Sequence, residues 1–235
     1  RVQKKAPHHN ARRGVMNVWD QETHHEINTY GQYEKHPVIS TNTVSSHFLY
    51  LNRPKQHNAL NIAMVRDLTS YLRKFETNPG SLGIVLSGVG ENAFCAGGDI
   101  MNLYKNGKQW KEKGDFQALS RNETFFREEY QLNWITSRLV TPYIAFMNGI
   151  TMGGGAGLAL HGQHKVATQK TLFAMPETAI GFFPDVGASS FLSHIPHNIG
   201  MYLALTGDRI KGGDLVHLGL ANHFMFTHDY PHLYN

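Results

Sequence analysis

The 235-residue sequence is poor in the residues and runs that define several common classes of protein. It has one cysteine, Cys95, so a disulfide framework within the chain is excluded. No apolar run approaches the roughly 20 residues that a membrane-spanning helix needs, so no membrane span is predicted. The 15 histidines form neither an H-E-x-x-H motif nor a Cys/His cluster, so no metal site is predicted. The glycine-rich segments lack the P-loop and Rossmann fingerprints, which argues against nucleotide hydrolysis.

Positive charge is concentrated at the start of the chain. Residues 1–13 carry five basic residues and no acidic one, whereas residues 14–235 sum to a net charge of −1. This pattern is compatible with a solvated tail, with the remnant of an organelle transit segment, or with an arm that contacts RNA phosphates. Residues 1–36 lack a clear hydrophobic period, and we interpret them as a basic and polar arm.

Hydrophobic periodicity predicts an α/β domain after the arm. Residues 37–51 predict a β-hairpin whose polar centre, Ser40 to Asn42, forms the turn. Asn61 is the predicted N-cap of a helix over Ile62–Glu76, and a longer helix is predicted over residues 115–140.

Two glycine-rich segments occur where a predicted strand passes into a predicted helix. Gly153 to Gly155 follow the strand Tyr143 to Met147, and Gly98 precedes Asp99 at the start of another helix. Backbone N–H groups at such junctions attract negative charge, and glycine lets another group approach them closely. If both junctions aim their N–H groups at one point, they form an oxyanion hole. The alternative is that the glycines only allow a helix to pack tightly on a strand.

Two carboxylates follow the second glycine segment in apolar surroundings. Glu177 follows Phe173-Ala-Met-Pro, and Asp185 follows Phe182-Phe-Pro. An apolar environment raises the pKa of a carboxyl group, which suits it to acid, base or nucleophilic catalysis. The alternative for Glu177 is a structural role in the first turn of a helix, where the helix dipole favours an acidic residue. Cys95 has no activating partner in the sequence and is predicted to be a packed core residue.

Four motifs, taken in order, resemble the crotonase (enoyl-CoA hydratase/isomerase) superfamily: Asn52-Arg-Pro-Lys, Phe94-Cys-Ala-Gly-Gly-Asp-Ile, Gly149-Ile-Thr-Met-Gly-Gly-Gly and Met175-Pro-Glu-Thr. Within that superfamily, three segments resemble the 3-hydroxyisobutyryl-CoA hydrolases: Phe126-Arg-Glu-Glu-Tyr, residues 176–187 and Leu205-Thr-Gly. The resemblance covers residues 38–226 in order, which makes it far more specific than any single glycine run.

The resemblance implies an α/β fold of repeated ββα turns coiled into a spiral. It also implies an acyl-CoA thioester whose carbonyl oxygen lies between the backbone N–H groups of Gly98 and Gly154. The catalytic carboxylates of these hydrolases match Glu177 and Asp185, and a substrate-binding glutamate matches Glu129. Gly154 is also expected to contact the substrate. No permanently bound cofactor is implied, because coenzyme A is part of the substrate.

The sequence departs from the family pattern in two places. Hydratases of the superfamily carry a glutamate two residues after the glycine triplet, where this chain has Gly157. Water addition by two glutamates is therefore not supported. The acyl-CoA domain is predicted over residues 37–226, with a tail, residues 227–235, in place of most of the family's C-terminal helical region. Those helices cover the site and assemble subunits in the family, so either a homo-oligomer or membership of a larger assembly is predicted.

Two functions remain open from the sequence. The first is hydrolysis, in the mitochondrial matrix, of a short branched β-hydroxyacyl-CoA thioester of the 3-hydroxyisobutyryl-CoA type found in valine breakdown. In this case Glu177 is either the nucleophile or the base that activates water. The second is a hydrolase-like structural protein of the mitochondrial small ribosomal subunit, in which residues 1–13 contact RNA or protein.

Overall fold

The structure is a computed structural model in which residues 15–16, 36–43 and 45–229 are described. Its described strands are β1 Val15–Met16, β2 Val38–Asn42, β3 Ser46–Leu51, β4 Gly83–Gly88, β5 Ala93–Cys95, β6 Tyr143–Met147, β7 Ile150–Met152, β8 His164–Ala167, β9 Leu172–Ala174, β10 Ile210–Lys211 and β11 His223–Phe224. They form a larger sheet in the order β1-β2-β3-β4-β6-β8-β11 and a smaller one in the order β10-β9-β7-β5.

The helices lie between and beside these sheets. The described α-helices are α1 Ile62–Glu76, α2 Ile100–Lys113, α3 Phe116–Arg138, α4 Gly154–Leu160, α5 Ala188–Ser193, α6 Ile199–Thr206 and α7 Gly212–His217. Two segments, Pro54–Gln56 and Glu177–Ile180, form short 3-10 helices. Among the residues that the structure describes, no helix is both long enough and apolar enough to cross a membrane.

Helix starts follow from side-chain capping. The Asn61 side chain accepts a hydrogen bond from Met64 N (2.9 Å) at the start of α1, and Asp99 and Asp115 cap α2 and α3 in the same way. One face of α1 is then buried in the main core through side chains at helical spacing: Met64, Val65, Leu68, Leu72 and Phe75. Burying each such side chain contributes about 1.5–3 kcal/mol.

The strands and helices repeat as ββα units, which confirms the spiral that the resemblance implies. In each unit a strand of the larger sheet is followed by a strand of the smaller sheet and then by a helix. The units are β4-β5-α2, β6-β7-α4 and β8-β9 with the 3-10 helix Glu177–Ile180. Strands β5, β7 and β9 are parallel, so the segments that follow them leave the same edge of the smaller sheet. These are the segments that carry Gly98, Gly154 and Glu177.

The long helix α3 carries polar residues on its buried face. Phe125, Leu132 and Thr136 are buried at helical spacing, and Glu129 and Asn133 are buried on the same helix. Burying a carboxyl group or a carboxamide is unfavourable unless the group is paired. The buried carboxyl group and carboxamide on this face of α3 therefore indicate a functional site.

The predicted elements agree with the structure except at some boundaries. The hairpin is antiparallel, but its turn does not lie at Ser40 to Asn42, because these residues belong to β2 and pair with β3. The helix predicted over residues 115–140 covers Phe116–Arg138. The sequence does not predict the three-residue strand β7, because so few residues carry no recognisable period.

Most of the predicted arm and tail lies outside the described residues. For the arm, residues 1–36, the structure describes only residues 15–16 and 36, where β1 pairs in parallel with β2. For the tail, residues 227–235, it describes residues 227–229. The boundaries of the domain at 37 and 226 stay predictions.

Candidate active site

The backbone amides of Gly98 and Gly154 lie side by side at one edge of the smaller sheet. A Cβ atom added to Gly154 would lie 3.4 Å from Gly98 N, and one added to Gly97 would lie 3.5 Å from Gly154 N. Within the described part of the chain, neither amide donates a hydrogen bond to a protein acceptor. Two free N–H donors close together are what an oxyanion hole requires.

Hydrogen bonds on both sides hold the Gly98 turn in place. Leu60 N donates to Gly97 O (2.7 Å), and Asp99 N donates to Leu60 O (2.8 Å). The Asp99 carboxylate also accepts a hydrogen bond from the Arg53 guanidinium (2.9 Å). Because the residues beside Gly98 are fixed by these bonds, its amide needs little reorganisation when negative charge develops next to it.

Glu177 lies beside the second glycine segment. Its side chain is buried, and its Oε1 lies 2.7 Å from the position that a Cβ on Gly153 would occupy. Burial, with a smaller contribution from Asp185, raises the pKa of Glu177 to about 7. Its Oε2 has no hydrogen-bond partner among the described residues. A carboxyl group with a pKa near neutrality and a free oxygen suits a base or a nucleophile.

Glu129 approaches the same glycines from α3. A Cβ on Gly154 would clash with Glu129 Oε1, so a larger residue at position 154 would displace the Glu129 side chain. Glu129 is 3% exposed, and within the described residues its Oε1 has no partner. Burial, and then the charges of Asp185 and Glu177, raise the pKa of Glu129 to about 8. Glu129 is therefore protonated at neutral pH and can donate a hydrogen bond.

The adjacent residue, Glu128, has the opposite environment. It lies at the protein surface and forms an ion pair with Arg66 on α1 (2.7 Å). This ion pair lowers the pKa of Glu128, whereas burial raises that of Glu129. Of these two adjacent glutamates on α3, Glu128 is thus a surface charge and Glu129 is a buried acid.

Asp185 completes a group of three carboxyl side chains. The Tyr130 hydroxyl donates a hydrogen bond to Asp185 Oδ2 (2.6 Å). Burial raises the pKa of Asp185, and the Tyr130 hydrogen bond opposes that rise. The next residue, Val186, has a φ of +44°, which is rare for a β-branched residue, and His161 Nε2 hydrogen-bonds its carbonyl (2.7 Å). The backbone beside Asp185 is therefore held in a strained conformation.

The three carboxyl groups influence one another's ionisation. Asp185 raises the pKa of both glutamates, and Glu177 raises that of Glu129. Such a cluster does not ionise completely at neutral pH, so a proton acceptor and a proton donor are present together.

Packing around Gly157 leaves little room for a side chain at the position where the superfamily's hydratases carry their second glutamate. A Cβ on Gly157 would lie 2.7 Å from Val186 Cβ and 2.9 Å from Asn133 Oδ1. Both distances are too short for real contacts, and the Val186 atom is fixed to the backbone. A glutamate at position 157 would therefore not fit unless the backbone at Val186 moved.

A groove of about 540 Å³ opens beside the carboxyl groups. Aromatic and apolar side chains, including Trp134, Phe183 and Val186, line much of it, and Asp185 and Tyr130 lie on its wall. Such a groove suits a small, mainly apolar group with one polar contact.

A second groove, of about 400 Å³, opens on the other side of the Gly98 turn. Leu60, Asp99 and Phe125 line the part next to Gly98, whose Cβ position lies 3.4 Å from the Phe125 ring. Arg66 and Arg121 also line this groove, where they form ion pairs with Glu128 and Asp115 respectively.

The structure brings all the sequence-predicted site residues into one cluster: Gly98, Glu129, Gly154, Glu177 and Asp185. The cluster also contains Tyr130 and Asn133, for which the sequence alone predicts no role in the site. Asn133 follows Glu129 by four residues, so helical spacing could have placed both on one face. Cys95 is fully buried and burial raises its pKa to about 12, which confirms the prediction of a packed core residue.

Comparison with known proteins identifies the family. The family model described as enoyl-CoA hydratase/isomerase matches residues 46–235, so the chain belongs to this family, as its motifs predict. Among solved structures, an enoyl-CoA hydratase from Rhodobacter sphaeroides superposes with a TM-score of 0.76 and 36% identity, over 84% of this chain and 56% of its own.

Two curated relatives carry different names. The protein named "3-hydroxyisobutyryl-CoA hydrolase, mitochondrial" of Xenopus tropicalis is 49% identical over 183 residues, which are 78% of this chain and 46% of the relative. The protein named "Small ribosomal subunit protein mS47" of Neurospora crassa is 42% identical over 200 residues, or 85% of this chain and 38% of the relative. The chain therefore spans less than half the length of these relatives. The first name agrees with the predicted mitochondrial location.

Proposed function

We propose that this protein hydrolyses the thioester of a short, branched β-hydroxyacyl-CoA of the 3-hydroxyisobutyryl-CoA type. The observation that carries the proposal is the pairing of two free amides, those of Gly98 and Gly154, with the buried carboxyl group of Glu177. The absence of room for a second glutamate at Gly157 favours hydrolysis over hydration. The similarity to the Xenopus tropicalis hydrolase supports the same choice.

Attack on the thioester carbonyl places negative charge on the carbonyl oxygen. In the proposed complex the N–H groups of Gly98 and Gly154 donate hydrogen bonds to that oxygen. One such preorganised donor typically lowers a barrier by about 3 kcal/mol. When the tetrahedral intermediate collapses, the C–S bond breaks and coenzyme A leaves as the thiolate, which takes up a proton.

Glu177 acts in its ionised form by one of two routes. As a nucleophile it attacks the carbonyl carbon and forms a mixed anhydride, which water then hydrolyses. As a base it takes a proton from the water that attacks the carbonyl. Both routes consume one water molecule and release the free acid and coenzyme A.

The remaining carboxyl groups bind the acyl group and move protons. Asp185, held by Tyr130, binds the substrate hydroxyl or assists proton transfer. Glu129, protonated because burial raises its pKa to about 8, positions the acyl group by donating a hydrogen bond.

Coenzyme A enters as part of the substrate, and the proposal needs no resident cofactor. The groove next to Gly98 is suited to its charged portion, because Arg66 and Arg121 line it and guanidinium groups bind phosphates well. Residues 37–226 form the acyl-CoA domain in this proposal, and the location is the mitochondrial matrix.

The test is release of coenzyme A from 3-hydroxyisobutyryl-CoA by the purified protein. We expect Glu177→Gln to reduce kcat at least 1000-fold, because neither route works with an amide, while substrate still binds. Glu123→Gln is the matched control, because it makes the same substitution at an exposed position on α3. Full hydrolysis by Glu177→Gln would exclude the assignment.

A second candidate function is that of a structural subunit of a ribosome. The similarity to mS47 covers 85% of this chain, a larger share than the similarity to the hydrolase covers. Residues 1–13, with five basic residues and no acidic one, would then contact RNA or protein. Co-purification with the small ribosomal subunit that is lost with rising salt supports this function. Migration as a free protein or homo-oligomer at all salt concentrations contradicts it.

A further inference from the structure

Asn133 is buried on α3, and neither atom of its carboxamide is hydrogen-bonded to a described residue. The residue is 5% exposed, and both Nδ2 and Oδ1 lack a partner. A buried amide without partners destabilises a fold, whereas an apolar side chain of the same shape would not. Such an orphan in a native structure points to a ligand that completes its hydrogen bonds.

The position of Asn133 relates it to the proposed oxyanion hole. Glu129 and Asn133 are one helical turn apart on α3, and they lie over Gly154 and Gly157 of α4 respectively. The three residues from Gly154 to Gly157 advance about 4.5 Å along α4. Along α4, Asn133 therefore lies about 4.5 Å beyond the proposed site of the thioester carbonyl.

Asn133 also borders the groove beside the carboxyl groups, although both polar atoms of its carboxamide are buried. Asn133 lines this groove together with Tyr130 and Asp185. In a β-hydroxyacyl thioester, the hydroxyl oxygen is separated from the carbonyl carbon by two carbon atoms. An acyl group that enters this groove from the two amides carries its hydroxyl towards Asn133.

We propose that Asn133 binds the β-hydroxyl of the acyl group and thereby selects hydroxylated over unsubstituted acyl-CoA thioesters. The inference rests on the proposed function and names the residue that determines its specificity for the acyl group. A hydroxyl both donates and accepts, and a carboxamide offers one group for each: Oδ1 accepts the hydroxyl proton and Nδ2 donates to its oxygen. With Asn133 holding the hydroxyl, Asp185 is left free for proton transfer.

The experiment compares two thioesters that differ by the hydroxyl alone, 3-hydroxyisobutyryl-CoA and isobutyryl-CoA. We expect the parent protein to prefer the hydroxylated thioester at least 100-fold in kcat/KM, because a site that pairs with a hydroxyl strongly rejects the analogue without it. Asn133→Leu should reduce this preference about 10- to 100-fold, the loss expected for one or two hydrogen bonds. Its unfolding temperature should be unchanged or higher.

Matched variants separate specificity from structure. Gln131→Leu likewise replaces a carboxamide side chain by leucine, but on the exposed face of α3, and it should leave the preference unchanged. Asn133→Ala, which removes the amide without adding bulk, should lower the preference in the same direction as Asn133→Leu. If either variant at position 133 folds and keeps the parent's preference, the inference is wrong. An equal loss of activity on both thioesters, which indicates a purely structural role, also overturns it.

Binding measurements separate this inference from the proposed function. Ketone analogues in which a methylene replaces the thioester sulfur cannot be hydrolysed, and their binding by calorimetry requires no catalysis. A preference for the hydroxylated ketone that is lost in Asn133→Leu supports the inference even if the parent hydrolyses neither thioester. Equal binding of the two ketones by the parent contradicts it even if hydrolysis is observed.

Discussion

Two buried asparagine side chains of this protein, Asn58 and Asn133, lie in opposite environments. In the loop after β3, Asn58 is fully buried: its Oδ1 accepts from Arg53 N (2.9 Å), and its Nδ2 donates to Val89 O (3.1 Å) and Ala93 O (2.9 Å). On α3, Asn133 is almost as deeply buried and has no protein partner among the described residues.

The difference separates a structural role from a functional one. The hydrogen bonds of Asn58 tie the loop that carries Leu60 to β5, and Leu60 in turn fixes the Gly98 turn. The unpaired groups on α3 and the neighbouring 3-10 helix, by contrast, belong to Glu129, Asn133 and Glu177. Groups that bind a substrate cannot also be hydrogen-bonded within the protein. The unpaired groups therefore destabilise the site locally, and the rest of the fold offsets this destabilisation.

The largest expected effect is on the free energy of unfolding and comes from replacing Asn58, whose side chain is hydrogen-bonded within the protein. Asn58→Leu should lower the free energy of unfolding by about 4 kcal/mol, because it leaves the Arg53 amide and two buried carbonyl groups without partners. Urea unfolding measures this change. Asn133→Leu, the same substitution in the other region, is the control and should cost little. Similar losses in the two variants would contradict the distinction between the regions.

The helix α1, the glycine junctions and the position of Glu177 can be predicted from local sequence. Asn61 and the apolar spacing of Met64, Leu68 and Leu72 predict α1 from local information, and the structure confirms this helix. The glycine junctions and the apolar neighbours of Glu177 likewise predict where reactive groups belong. In each case the signal lies within a few residues of the feature.

The rest depends on contacts between distant segments. Helical pattern alone does not distinguish Glu128 from Glu129, because their different burial is set by α1 on one side and α4 on the other. Asn133 is unpaired only because of where α4 lies, and no local pattern encodes that position. The strands β7 and β9 are defined by pairing across the smaller sheet and not by period.

A smaller effect is expected in the pH dependence of hydrolysis. Glu177 must be ionised in either proposed route, and burial raises its pKa to about 7. Well below pH 7 the ionised fraction falls about tenfold per pH unit, so kcat/KM at pH 5 should be about 50-fold below its value at pH 7 and about 100-fold below its plateau at higher pH. An ordinary glutamate would remain ionised over this range. A flat profile between pH 5 and 7 would show that the unpaired environment of Glu177 does not govern the reaction.

The last comparison concerns stability and the two adjacent glutamates. The pKa of Glu129 is raised from 4.5 to about 8, so the folded state holds its proton more tightly than the unfolded state does. The stability contributed by the protonated group is complete below pH 4.5 and is lost as pH rises towards 8. Glu129→Gln removes this titration and should raise the free energy of unfolding at pH 8.5 by on the order of 2–4 kcal/mol, with little change at pH 4.5.

Glu128→Gln is the matched control for that variant, with the same substitution one residue earlier. Arg66 lowers the pKa of Glu128, so its contribution has the opposite sign and is lost as pH falls. Because this ion pair is exposed to solvent, the change should be close to the error of urea unfolding at either pH. If Glu128→Gln and Glu129→Gln shift stability alike at pH 8.5, then burial does not hold a proton on Glu129. The proposed hydrogen bond from Glu129 to the acyl group would then lose its donor.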